Sequence, residues 1–172
     1  FTHLLRYKND SLMISYKTLN KDNPKLNCRL NGVKKYSPKR IILDSKLNTN
    51  INSFIIKTAN KSNTIIFYNK ACNSQILSFK KKGINLIRSK IDNKGRFDIK
   101  IILKKLYRLN CRNLLVEGGD ELTNYLLRNK IFNRFYLYKS DKKLSKKTEY
   151  LNFNSFNLLK QKYKKKIDLE LD

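Results

Sequence analysis

The sequence predicts an α/β domain with a largely parallel central sheet flanked by helices. Three observations carry that expectation. Short, continuous β-branched runs such as Ile41-Ile42-Leu43 and Thr64-Ile65-Ile66-Phe67 read as strands buried on both faces. Segments with helical spacing lie between such runs, and this alternation is the pattern of strand-helix-strand units. One strand-like run ends in Gly118-Gly119 and feeds a helical segment, the form taken by a ligand-side turn on a parallel sheet.

The elements follow in chain order. Leu12-Met13-Ile14-Ser15, preceded by the turn-like Asn9-Asp10-Ser11, reads as the first strand. Polar residues then run to Pro38 and are expected to form connecting loop, with Asp22 as a turn former and Pro24 fixing the chain. Arg40-Ile41-Ile42-Leu43-Asp44 is a buried strand stopped by Asp44-Ser45, and Phe54-Ile55-Ile56 is ambiguous between helix and strand. Residues 64–68 and 83–87 read as two further strands. Ile99, Ile101, Ile102, Leu103, Leu106 and Leu109 form a helical stripe, with Asp98 where a carboxylate favours the helix dipole. Asn113-Leu114-Leu115-Val116 is the next strand, and a helix follows over residues 121–128, with Leu122, Tyr125 and Leu126 on one side. Residues 132–138 and 165–171 read as terminal strands, with room for antiparallel pairing at that edge.

Length and composition bound the function classes. At 172 residues, 40% of them hydrophobic and 11% aromatic, the chain can bury one sizeable core, and a single domain over 1–172 is expected. No run of eighteen or more apolar residues occurs and the first residues lack the pattern of a secretory signal, so no membrane partner and a cytoplasmic location are expected. Three cysteines, Cys28, Cys72 and Cys111, lie far apart without a C-x-x-C pair, which points to neither a disulfide framework nor a metal site. The net charge of +26 invites a nucleic-acid reading. Yet Lys, Asn and Ile are spread through the whole chain, core-like segments included, and the lysine clusters fall at expected element ends and loops, where solvated lysines sit in any case. A field of this sign also attracts phosphorylated small ligands.

Two segments could carry chemistry. In Leu114-Leu115-Val116-Glu117-Gly118-Gly119-Asp120 the glycines would let backbone N–H groups at a helix start face an anion. By itself such a junction is a tight turn. Glu117 adds to it, because a carboxylate at the end of a buried strand needs a ligand or an ionic partner. The second segment, residues 18–29, gathers Thr18, Asp22 and Arg29 on one stretch of polar chain, which is otherwise a plain connection. Arg6 and Arg29 stand out because this chain prefers Lys, and Arg is the residue for two-pronged anion contacts. His3, the only histidine, reads as incidental at its position.

The ordered set Leu4-Leu5-Arg6, Leu12-Met13-Ile14-Ser15, residues 18–29 with Asp22, Pro24 and Arg29, Ile41-Ile42-Leu43-Asp44-Ser45, and Val116-Glu117-Gly118-Gly119 resembles the C-terminal reductase domain of the bifunctional riboflavin-biosynthesis deaminase/reductase. The likeness runs over residues 4–138. It implies a dihydrofolate-reductase-like fold and NADPH-dependent reduction of 5-amino-6-(5-phosphoribosylamino)uracil to its ribitylamino product. It implies that Arg6, Leu26, Arg29 and Glu117 contact substrate, and that Thr18, Asp22, Ser45 and the segment Gly119, Asp120, Glu121, Leu122, Thr123 and Asn124 contact NADPH. Opening the ribose ring for hydride delivery to C1′ requires an acid, for which Glu117 and Asp22 are the candidates. It further implies a homodimer and a fused N-terminal deaminase domain. Asp120 departs from the family, which has an uncharged residue there; beside a pyrophosphate its carboxylate is tolerable only if it turns away to cap the helix. The family's opening strand, with its lysine and serine-leucine-aspartate-glycine stretch, has no counterpart in this sequence, which reads as part of a longer protein, inactive alone.

Two other readings compete. Tyr and Phe interleaved with Lys over residues 150–163 fit a basic nucleic-acid-binding protein, which one continuous lysine face would support. A dihydrofolate-type reductase would share the fold, but Arg6 and Arg29 favour a phosphorylated substrate.

Overall fold

Apolar runs without polar alternation demand cover on both faces, and the sheet they form is parallel throughout. The computed structural model describes residues 1–138. The chain divides after Gly119 into two units. The first, Phe1–Gly119, contains β1 (Ser11–Ser15), β2 (Lys39–Leu43), β3 (Thr64–Tyr68), β4 (Asn85–Arg88) and β5 (Leu114–Val116) in the order β4-β3-β2-β1-β5. Helices α1 (Thr2–Lys8), α2 (Tyr16–Asp22), α3 (Phe54–Lys57), α4 (Asn73–Lys81) and α5 (Ile99–Arg108) alternate with the strands, and a short 3-10 turn covers Lys34–Tyr36.

This order places the helices. From β1 to β4 each strand is added on the same side of the last, so right-handed crossovers put α2, α3 and α4 on one face. The packing agrees: Leu12, Ile14, Ile42 and Ile66 form one buried cluster with Leu19 of α2, Ile55 and Ile56 of α3, and Phe79 of α4. Ile14, Ile42, Ile66 and Leu86 are directly paired across four strands, so this face is one continuous apolar row. The chain then jumps from β4 back past β1 to β5, which assigns α5 and its buried Ile99, Ile102 and Leu106 to the other face. Asp98 caps α5 by accepting from the backbone N–H groups of Lys100 and Ile101.

At the amino end of β2, Arg40 is 6% exposed and has no carboxylate partner among the described residues. Its guanidinium donates to Thr58 Oγ1 (2.8 Å), Thr58 O (2.9 Å) and Asn63 Oδ1 (2.8 Å). Burial pushes its pKa down to about 10. Arg40 ties the α3–β3 loop to the sheet, at the end opposite the carboxyl ends where ligands bind.

The structure corrects several expectations. The polar stretch after β1 is not loop from its start: Ser15 caps α2, its hydroxyl accepting from the N–H of Thr18, and buried Leu19 anchors the helix. Phe54-Ile55-Ile56 resolves as helix. Residues 73–81, which no periodicity announces, form α4. Residues 131–138 are neither helix nor strand. The rings of Phe132 and Phe135 meet edge-on at 6.3 Å, whereas side chains three apart on a strand point to opposite faces. All five described strands are parallel. Residues 165–171, and the Tyr and Phe positions over 150–163, lie outside the described residues.

In the second unit, α6 (Asp120–Arg128) starts one residue earlier than expected. The Asp120 carboxylate does turn along its own helix, accepting from Asn124 Nδ2 at 2.7 Å.

Candidate functional site

A switch point is the first thing the topology defines. The chain leaves β1 toward β2 on one side, and β5 joins β1 on the other, so the carboxyl ends of β1 and β5 are where a parallel sheet of this kind takes a ligand. Ser15 and Thr18 follow β1, Ser45 follows β2, and Glu117 and Gly119 follow β5. The three places expected from sequence therefore sit on three adjacent strands.

At the end of β5, the Glu117 backbone N–H donates to Met13 O, which extends the ladder by one residue and fixes the side chain at the sheet edge. Its carboxylate grips Arg6 of α1 at both oxygens: Nε donates to Oε1 and Nη2 to Oε2, each at 2.7 Å. The Arg6 side chain is 12% exposed and that of Glu117 25%. Arg6 Nη1 also donates to the backbone oxygen of Asn27 at 3.2 Å. Arg6 thereby joins α1, the segment after α2 and the end of β5. Both residues were expected to touch substrate, and the structure brings them to each other. The ionic partner that the position of Glu117 requires is supplied by the protein itself.

Beside this pair lies an acceptor left open. Asn27 Oδ1 is buried and has no hydrogen-bond partner among the described residues, a situation that costs about 1–3 kcal/mol unless a donor arrives. Arg29 faces His3, its backbone N–H lying 3.2 Å from Nδ1 and its Nε 3.1 Å from Nε2. A neutral imidazole has one acceptor nitrogen, so one of these bonds forms at a time, and an imidazolium could accept neither. Burial first, then Arg29 and Arg6, hold the His3 pKa below its usual value. Sequence reasoning missed Asn27 and His3 as neighbours of the site. Only the fold-back of residues 26–29 onto α1 shows them, and no motif encodes it.

Across the switch point, the Thr18 hydroxyl is 3.0 Å from Ser15 Oγ. A Cβ on Gly119 would fall 2.7 Å from Thr18 Oγ1, so the glycine is what lets the β5 turn close on α2. Asn20 of α2 then ties the helix to the loop after β2, with Nδ2 donating to Asn48 O (2.9 Å) and Oδ1 accepting from the Asn50 N–H (2.8 Å). Buried Asp44 shapes that loop through Thr49, whose N–H (2.6 Å) and hydroxyl (2.7 Å) both donate to Oδ2. Ser45, half-buried beside it, has no side-chain hydrogen bond among the described residues.

Asp22, at the exposed end of α2, takes no partner among the described residues and is not brought to Glu117 by any contact. Leu26 is 1% exposed and packs in the core, so only its backbone, held at φ 51°, can face a ligand. Glu121, Leu122, Thr123 and Asn124 lie on α6 of the second unit. Among the described residues no cluster of His, Cys, Asp and Glu could hold a metal ion, and no helix is long and apolar enough to cross a membrane.

A nicotinamide dinucleotide fits what is present: a switch point, a glycine turn closed on a hydroxyl, and the unengaged Ser45 hydroxyl two strands away.

Comparison with known proteins agrees with this geometry. The chain is 32% identical over 137 residues to the riboflavin biosynthesis protein RibD of Actinobacillus pleuropneumoniae, covering 80% of this chain and 36% of that protein. It is 32% identical over 145 residues to the 2,5-diamino-6-ribosylamino-4(3H)-pyrimidinone 5′-phosphate reductase of Debaryomyces hansenii, covering 73% and 56%. Among solved structures, the riboflavin biosynthesis reductase Rib7 of Saccharomyces cerevisiae superposes with a TM-score of 0.59 at 27% identity, over 77% of this chain and 58% of that one. Acinetobacter baumannii RibD gives 0.61 at 17% identity, over 76% and 34%, a likeness of fold alone. The fold is thus the dihydrofolate-reductase-like fold of these reductase domains. The chain spans little more than a third of the RibD proteins of Actinobacillus pleuropneumoniae and Aquifex aeolicus, at 36% and 37% of their lengths. The family model for the RibD C-terminal domain matches residues 1–144, and the chain belongs to that family.

Proposed function

We propose that this chain is the reductase domain that converts the ribosylamino group of a phosphorylated aminouracil, 5-amino-6-(5-phosphoribosylamino)uracil, to the ribitylamino form in riboflavin biosynthesis, using NADPH. The carrying observation is the Arg6–Glu117 pair at the switch point, with the open acceptor of Asn27 beside it and the Thr18–Gly119 contact across from it. The relatives' names supply the substrate class.

NADPH, when bound, supplies the hydride; the protein contributes binding and orientation. Thr18, Ser45 and the backbone at Gly119 hold the cofactor at the carboxyl ends of adjacent strands. Asn27 Oδ1 accepts from an exocyclic amine or a ring N–H of the pyrimidine, and Arg29 meets the substrate phosphate once it is released from His3. Glu117, held by Arg6, orients sugar hydroxyls, while Glu117 or Asp22 relays a proton from solvent to the ring oxygen. A cytoplasmic location, dimer formation and fusion to a deaminase belong to the same reading.

The lysines do not favour a nucleic-acid interface. They occur on every helix from α1 to α5, at amino ends of strands (Lys39, Lys61) and at carboxyl ends (Lys46, Lys70, Lys90). The test is NADPH oxidation by the protein on adding the aminouracil phosphate. Consumption that depends on substrate and falls at least tenfold in Glu117→Gln supports the reading; salt-sensitive RNA or DNA binding without NADPH binding overturns it.

A further inference from the structure

His3 reads as incidental from sequence, yet the fold sets its ring against two donors of one residue. From the first turn of α1, Nδ1 lies 3.2 Å from the Arg29 backbone nitrogen and Nε2 3.1 Å from Arg29 Nε. The neutral ring accepts from Arg29 at one nitrogen and holds it. A second ring proton removes that acceptor and sets N–H against N–H, so the imidazolium and the guanidinium repel unless an anion comes between them. A phosphate has three oxygens with which to accept from both cations at once. The surroundings favour such a group. The Glu117 carboxylate matches Arg6, whereas Arg29 has no carboxylate partner among the described residues, and its exposed side chain keeps both Nη groups as further donors.

The charged groups acting on the ring are Arg29 on the segment after α2, Arg6 one turn along α1, and the Phe1 amino group; all three oppose its protonation, as does burial. The Asn27 carbonyl, which also accepts from Arg6, favours it. Glu117 lies beyond Arg6 and is engaged by it. A dianion seated against the ring reverses this balance. We propose that His3 is a ligand of the substrate's 5′-phosphate: as the phosphate arrives the ring takes a proton from solvent, lets go of Arg29, and imidazolium and guanidinium hold the phosphate together. The open Asn27 acceptor and the Arg6–Glu117 pair stand beside it, where the pyrimidine and the sugar are assigned. The inference rests on the reductase reading and adds to it a proton taken up on substrate binding.

His3 is the chain's only histidine, so its ring resonances in proton NMR need no assignment. The ring is titrated in the whole chain alone, with ribose 5-phosphate, and with ribose. Ribose 5-phosphate should raise the His3 pKa by about one unit or more, and ribose should leave it in place. By linkage, the affinity of wild type for ribose 5-phosphate relative to that of His3→Gln should then be about fivefold or more higher at about pH 5.5 than at about pH 8. The phosphate's own titration acts on both proteins alike and drops out of that ratio, which a merely structural histidine would leave flat. No binding of ribose 5-phosphate, or binding with the His3 pKa unmoved, overturns the assignment. Where NADPH oxidation on adding the aminouracil phosphate persists, that result leaves the reductase reading standing; with neither oxidation nor binding, both fall.

Discussion

Arginine in a lysine-rich chain marks places where a fork is needed. Arg6 spans both oxygens of Glu117, and Arg40 serves three neutral acceptors from one buried guanidinium. A lysine could satisfy one acceptor of each set. Glu117→Gln turns an N–H₂ toward the guanidinium, and Arg6→Lys leaves one carboxylate oxygen without its donor. Each lowers stability by about 1–3 kcal/mol, read as a fall in urea midpoint at unchanged slope. His3 predicts a pH effect. Its folded pKa is depressed below the unfolded value of about 6.5, so the neutral ring's contribution is fully present above that value and is lost as pH falls through the folded one. Unfolding curves of the wild type and His3→Gln should converge as pH drops below about 6. A constant offset across that range would contradict the contact with Arg29.

Strands were legible where burial is two-sided. β1, β2 and β3 fall within a residue of expectation because continuous apolar runs have no alternative home, and α5 was legible from its stripe and the Asp98 cap. The helices that failed to show share a cause. α2 buries only Leu19, and its Tyr, Thr, Asn and Asp residues have modest helix propensity, so the Ser15 cap and the Asn20 bridge hold it in place. α4 buries only Phe79 and exposes Leu77 at 57%, which blurs any periodicity. Of the candidate site, the three strand ends were legible, while the Arg6–Glu117 pairing and the Asn27 acceptor depend on contacts across 111 and 21 residues. The α2–β5 junction gives a prediction at this scale. Gly119→Ala places a methyl 2.7 Å from Thr18 Oγ1 and should cost about 1–3 kcal/mol and weaken NADPH binding. Adding Thr18→Ala removes the obstructing oxygen, so the double variant should recover about 1 kcal/mol relative to additivity. Strict additivity would show that the glycine is needed for another reason.

For the whole molecule, one reversal of strand order decides where chemistry can occur. Four strands added in one direction and a fifth on the far side of the first put the switch point at the carboxyl ends of β1 and β5, and residues distant in sequence converge there. The same edge continues to β4, where Arg88, Lys90 and Lys105 line a cavity. The net charge of +26 then acts as a general attraction for phosphorylated ligands, weakened by salt, rather than as a binding face. The most direct measurement supplies the protein with NADPH deuterated at the transferring position of C4, together with the aminouracil phosphate, and examines the product by mass spectrometry and NMR. The account predicts one deuteron at C1′ of the ribityl chain, with one NADPH consumed for each product formed. Product without deuterium at C1′, or product formed without NADPH consumption, would contradict it.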